Sequence, residues 1–278
     1  RYSPLPVLAV PMKSLFAAAH ICLAAASPDD KPARTFEAAA AFARGEQSSD
    51  GELDGPEPIR MPGRPATPKL VHPRDLPKRG FGSIEGRAAF IHAVAHIEFD
   101  AIDLAWDAVY RFRGMPAQYY ADWVSVANDE ARHFTMLRAR LRELGYDYGD
   151  FDAHNGLWEM AEKTAHDGLA RMALVPRVLE ARGLDVTPGM IVKLRSLGDD
   201  TTADILEVIL REEVGHVAAG SRWYRWHCER AGVEPRARFR ELLQAYASGV
   251  LHKPFNTEAR LAAGFDLEEL ESLLAAAE

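Results

Sequence analysis

Apolar residues recur at three- and four-residue intervals in four long stretches of the chain, the spacing that lines one face of an α-helix. The first stretch runs from a Ser83 cap to about Arg113, with Ile91, Val94, Ala101, Ala105, Val109 and Phe112 on its apolar stripe. The second runs from about Pro116 to Leu144 along Trp123, Val126, Leu137 and Leu141. The third runs from about Leu157 to Arg182 through Leu169, Ala173 and Pro176, and Gly183 is expected to stop it. Pro176 falls mid-helix, where a missing N–H and a bulky ring predict a kink one turn before Glu180. A short helix near Pro188 to Leu197 follows, and an Asp199 or Asp200 cap opens the fourth stretch, which carries Ile209, Gly220 and Trp223 to about Ala231.

The flanks follow different rules. From about Lys13 to Arg44 an alanine-rich pattern predicts two short helices, broken at Ser27-Pro28-Asp29-Asp30. Seven of the seventeen prolines lie between Pro56 and Pro77, so that stretch reads as an extended strap around the outside of the bundle. A helical tail from about Arg236 is interrupted at His252-Lys253-Pro254-Phe255-Asn256. The pattern predicts an all-α chain in three parts: an N-terminal helical hairpin and proline-rich strap over 1–82, a four-helix bundle over 83–231, and a C-terminal helical tail over 232–278.

Acids interrupt the long stripes where apolar residues belong. They come in the order Glu98, Glu130-Ala131-Arg132-His133, Glu180, Glu213-Val214-Gly215-His216, and each lone glutamate precedes its Glu-x-x-His by 32 or 33 residues. The second half repeats the first at an offset of 82 or 83 residues, an internal two-fold in ligand placement. Residues i and i+3 share a helix face about 4.5 Å apart along the axis, so one carboxylate and one imidazole can address the same ion. A single Glu-x-x-His is common in glutamate-rich helices; two inward copies, each trailing an inward glutamate, point to a carboxylate-bridged di-metal site. Buried carboxylates without cations are strongly disfavoured, and two divalent ions would neutralise them. Glu98, Glu130, His133, Glu180, Glu213 and His216 are therefore the expected metal-ligating and catalytic set. The expected cofactor is two transition-metal ions, iron foremost, with manganese or a mixed manganese/iron pair as alternatives.

Other polar residues receive milder readings. Glu212 competes with Glu213 because it lies four residues before His216, but the stripe through Ile209 and Trp223 favours Glu213. His92 and His96 share the polar side of their helix with Asp100, Asp103 and Asp107, and are read as surface or supporting residues. His166 and Asp167 are expected to cap or pair locally, and the pair Tyr119-Tyr120 is assigned no redox role.

Composition narrows the function. A chain of 278 residues with 47% hydrophobic residues can bury a full core unaided, and two cysteines, Cys22 and Cys228, support neither a disulfide framework nor a thiolate metal site. A reducing, cytoplasmic setting is expected. The net charge of −8 argues against nucleic acid as a partner, although the stretch Trp223–Arg240 is locally basic. Met12–Ala26 has the look of a leader, but eleven residues precede it and His20 interrupts it, so it is read as helix. No run approaches the roughly 18 apolar residues of a membrane span.

At the six acid and histidine positions the chain resembles the ferritin-like superfamily of di-metal carboxylate proteins, over about 83–231. The runs His96-Ile97-Glu98, Asn128–Phe134, Arg171–Asp185 and Pro254-Phe255-Asn256 are similar to a bacterial ferritin-like family known only as domain-of-unknown-function family 455, and that likeness spans nearly the whole chain. The resemblance implies a ferritin-like four-helix bundle with a di-iron or manganese/iron site. The leading expectation is a non-haem, oxygen-activating oxidoreductase or hydroxylase acting on a small-molecule substrate, with electrons from an external donor. The alternatives are a non-catalytic metal-binding or iron-handling protein and a helical scaffold; a homodimer is compatible with each, and the N-terminal and C-terminal additions argue against cage assembly for iron storage.

Overall fold

The computed structural model describes residues 13–50, 55–77, 79–247 and 252–276. Ser14 opens the first helix, α1 (Leu15–Ala24), by accepting the Ala17 amide at its hydroxyl, 3.1 Å. Ser27 Oγ accepts from the Asp29 and Asp30 amides and turns the chain into α2 (Asp30–Ala43), completing the expected hairpin. Two two-residue strands, β1 (Lys13–Ser14) and β2 (Gln47–Ser48), pair in parallel across its base. The strap then runs without helix except for one tight turn at Pro73–Asp75, and its Leu70 bridges to Ala153.

Two long helices follow, α3 (Ile84–Arg111) and α4 (Ala117–Glu143), packed along one another. Ser83 caps α3 through the Gly86 amide, as its position predicts. The third helical region departs from the expected single helix ending at Gly183. It consists of α5 (Gly156–Lys163), a break at 164–167, α6 (Gly168–Leu174), a π-helical turn (Val175–Glu180) and α7 (Ala181–Ser196). The break falls where Asp167 accepts the Leu169 and Ala170 amides, a cap that starts a helix afresh. At Pro176 the chain widens into the i→i+5 register of a π turn, which steps past the missing donor.

Gly183 and Pro188 do not end α7: a glycine costs a helix only about 1 kcal/mol, and the defect at Pro188 is offset from outside. Pro188 has no N–H for the Leu184 carbonyl four residues back, and the Asn256 side-chain amide donates to that carbonyl instead, 3.1 Å. α8 (Asp200–Ala231) packs along α7, α6 and α4, starts with Asp199 accepting the Thr202 amide, and stops at Gly232 in the left-handed region. Gly220 is what brings α8 onto the π turn: a Cβ there would overlap the Pro176 ring. The tail comprises α9 (Pro235–Tyr246), α10 (Thr257–Ala262) and α11 (Leu267–Ala276). The chain is all-α apart from those four strand residues among the ones described, and no described helix is long and apolar enough to cross a membrane.

The polar face of α3 differs from expectation. His92, His96, Asp100, Asp103 and Asp107 are all buried, because the hairpin, the strap and the loop before α5 close over them. Each acid meets a cation brought from elsewhere: Lys31 of α2 on Asp103, Arg64 of the strap on Asp100, and Arg171 of α6 on Asp107 at 2.5 Å. His96 contacts the Tyr148 hydroxyl at 2.8 Å, and Tyr148 stacks on His92. Burial of charge is tolerated here because every acid is paired.

Candidate metal centre

Opposite that ladder, α3 presents Glu98 to the interior. α4 supplies Glu130 and His133 from one face, α8 supplies Glu213 and His216, and the π turn ends in Glu180. Ligand atoms of Glu98, Glu130, His133 and Glu213 all lie within 4.8 Å of one another, a buried cluster that can hold a metal ion. His216 Nδ1 joins it at 3.0 Å from both Glu130 and Glu213. His133 Nδ1 lies 3.3 Å from Glu98 and 3.4 Å from Glu130, and the two imidazoles are 5.8 Å apart between ring centres. Glu180 Oε2 is buried without a hydrogen-bond partner.

The electrostatics are those of crowded acids in a dry place. Burial, then the neighbouring Glu130, pushes Glu98 up to about 8. Glu180 is driven well above the ordinary carboxyl range by burial and then by Glu213 and Glu130. Burial opposes charge on His133, but hydrogen bonding to Glu130 and Glu98 outweighs it and raises the imidazole to about 11. His216 is likewise raised, with Glu213 and Glu130 overcoming its burial. Protons therefore do part of the neutralising that cations can do.

The structure separates Glu212 from Glu213. Glu213 faces the cluster, whereas Glu212 accepts from His133 Nε2 at 2.7 Å. Asp129 does the same for His216 Nε2, at 3.4 Å. The acid immediately before each Glu-x-x-His thus grips the histidine of the other motif, and Arg132 bridges the two acids, 3.1 Å to Asp129 and 2.5 Å to Glu212. An acid on Nε2 holds the proton there and turns Nδ1 inward, where it bears a proton toward the acids in the metal-free cluster and would offer its lone pair to an ion that displaced that proton. Sequence reading missed Asp129 and Arg132 and weighed Glu212 only as a rival ligand to Glu213; the signal was the acid at the same place in both repeats, Asp129 and Glu212.

Other expected features are spent structurally. Tyr119 and Tyr120 are buried and donate to the carbonyls of Ala108 and Phe112. His166 lies in the break before α6, away from the cluster, beside the capping Asp167. The basic stretch borders a recess of about 540 Å³, but Asp167 and Glu241 stand on the same wall as Arg230 and Arg238, and Arg236 pairs with Asp266. Both described cysteines are free and buried.

The family model described as "Protein of unknown function (DUF455)" matches residues 24–271. An uncharacterized protein of Haemophilus influenzae is 48% identical over 215 residues, covering 74% of each chain. No solved structure matches this chain. With the family model covering nearly all of the helical architecture, including every acid and histidine of the cluster, the chain belongs to the DUF455 family.

Proposed function

We propose that Glu98, Glu130, His133, Glu180, Glu213 and His216 form a carboxylate-bridged di-metal centre in a ferritin-like four-helix bundle. The chain is then an oxygen-activating oxidoreductase, of hydroxylase type, on a small molecule. The observation that carries the reading is the cluster itself: three carboxylates and the His133 imidazole, from three helices, with ligand atoms within 4.8 Å of one another, and a second imidazole, His216, 3.0 Å from two of those acids, together with a buried Glu180 oxygen that has no hydrogen-bond partner. The donor set fits the group, since oxygen and imidazole donors suit iron and manganese.

Glu130 lies 3.4 and 3.0 Å, and Glu213 3.9 and 3.0 Å, from the His133 and His216 imidazoles, and these four residues with Glu98 and Glu180 would hold the two ions. When bound, a reduced ion pair supplies electrons to dioxygen, and an external donor would restore them. The chain's own residues keep most of the site from water, with His133 fully buried, Glu98 5% exposed and the Glu213 side chain 12% exposed, and hold imidazole protons at Nε2 through Glu212 and Asp129. Dryness shields reactive oxygen from side reactions with water.

The test is oxygen uptake. Protein loaded anaerobically with two equivalents of Fe(II) should consume dioxygen, and should keep consuming it with an artificial reductant. Uptake no faster than that of the same iron free in buffer would overturn the enzyme reading. A single round of iron oxidation, with no turnover under reductant, would instead assign the chain to metal handling.

A further inference from the structure

Glu180 lies outside the group of Glu98, Glu130, His133 and Glu213 whose ligand atoms fall within 4.8 Å of one another. It sits at the end of a π turn between two breaks in the helical hydrogen-bond ladder, Pro176 on one side and Pro188 on the other. Its Oε2 has no hydrogen bond to hold it. The backbone must therefore set its position, and the backbone here is fastened from outside the bundle.

The fastening comes from the C-terminal tail, on both sides of Glu180. Before it, the buried Arg177 binds Glu269 of α11 at 2.7 Å and lies over the rings of Phe239 and Phe265, 4.4 Å from each. After it, Arg182 donates to the carbonyls of His252 and Pro254 at 2.7 and 2.9 Å. Asp185 accepts both the Arg260 guanidinium, at 2.9 and 2.7 Å, and the Asn256 amide at 2.9 Å. Asn256 in turn satisfies the Leu184 carbonyl orphaned by Pro188. Arg177, Arg182 and Asp185 thus all face the tail, while the Glu180 carboxyl lies close enough to Glu213 and Glu130 to feel their charge.

Resting on the di-metal reading above, we propose that the tail over 252–276 is the positioning element for Glu180, with Arg182 and Asp185 as positioning residues. Metal occupancy and tail docking are then coupled, and the coupling is reciprocal: the docked tail raises the affinity of the ion that Glu180 serves, and that ion holds the tail down. The ion served by Glu98, whose helix the described tail does not grip in this way, is little affected.

The experiment uses the full chain and Mn(II) alone as probe. Arg182→Ala is the first variant, since its side chain is 35% exposed and its loss leaves no buried charge unpaired. Asn256→Ala is the second, and Arg182→Lys is the conservative control. Calorimetric titration should show two ions in the wild type. In Arg182→Ala and Asn256→Ala one ion should weaken by about 10-fold, within the usual range of coupling, and the other by less than about 2-fold. Arg182→Lys should recover part of the loss. In the wild type, Mn(II) should slow amide exchange over 252–262 by a similar factor, and Glu180→Gln should abolish that protection. Two ions bound with unchanged affinities in both alanine variants, or exchange of the tail indifferent to Mn(II), would overturn the proposal. No Mn(II) bound by the wild type would be a different failure, that of the di-metal reading beneath it.

Discussion

Replacing Glu98 by glutamine should stabilise the metal-free protein while weakening the metal-loaded one. Glu98 is 5% exposed and keeps its proton up to about pH 8, against an ordinary 4.5. A carboxyl raised on folding adds nothing unfavourable below its unfolded value. Stability then falls as pH rises, because the unfolded chain gives up its proton first, and the loss is complete once pH passes the folded value. From 4.5 to pH 7 that is 2.5 pH units at about 1.4 kcal/mol each, roughly 3 kcal/mol. Part is returned by the contact with His133 at 3.3 Å, so Glu98→Gln should gain about 1–3 kcal/mol at pH 7 and nearly nothing at pH 4.5. Urea unfolding in chelator at the two pH values measures this. With Mn(II) at about 1,000 times its dissociation constant the wild type should gain about 4.1 kcal/mol and overtake the variant. A Glu98→Gln protein less stable than wild type in chelator at both pH values would refute the reasoning, since it would make Glu98 a net stabilising partner of His133.

Two other outcomes follow from the packing and the buried histidines. Gly220→Ala would ordinarily favour a helix by about 1 kcal/mol, but its Cβ meets the rigid Pro176 ring, so urea unfolding should show a loss of about 1–3 kcal/mol; a gain would mean that α8 and the π turn are not in close contact. Burial, then His96, lowers His92 to about 4 from 6.5, so its contribution is full above pH 6.5 and lost as pH falls through 4, about 3 kcal/mol in all. His92→Gln should flatten the acid limb of the stability curve, and an unchanged limb would remove His92 as its cause.

Much of this was written in the sequence, for a physical reason. An acid in an apolar stripe is conspicuous, and Glu98, Glu130 and Glu213 fall where leucine would otherwise stand. Other features depend on partners that spacing does not reveal. The ladder of His92, His96, Asp100, Asp103 and Asp107 has the periodicity of a solvated face, and its acids are buried against Lys31, Arg64 and Arg171, which lie 72, 36 and 64 residues away from them. Gly183 and Pro188 look like helix stops because their cost is local, whereas the compensation at Pro188 comes from Asn256, 72 residues after Leu184. Neighbouring acids such as Glu212 and Glu213 point about 100° apart on a helix, and which one turns inward is settled by where α4 places His133.

The central claim is tested most directly by counting ions. Protein prepared with iron and manganese available under reducing conditions should carry about two transition-metal ions per chain by elemental analysis, and the Glu130→Ala/Glu213→Ala double variant should carry none while remaining helical. Absence of bound metal in the wild type under those conditions, or equal metal in the folded double variant, would contradict it.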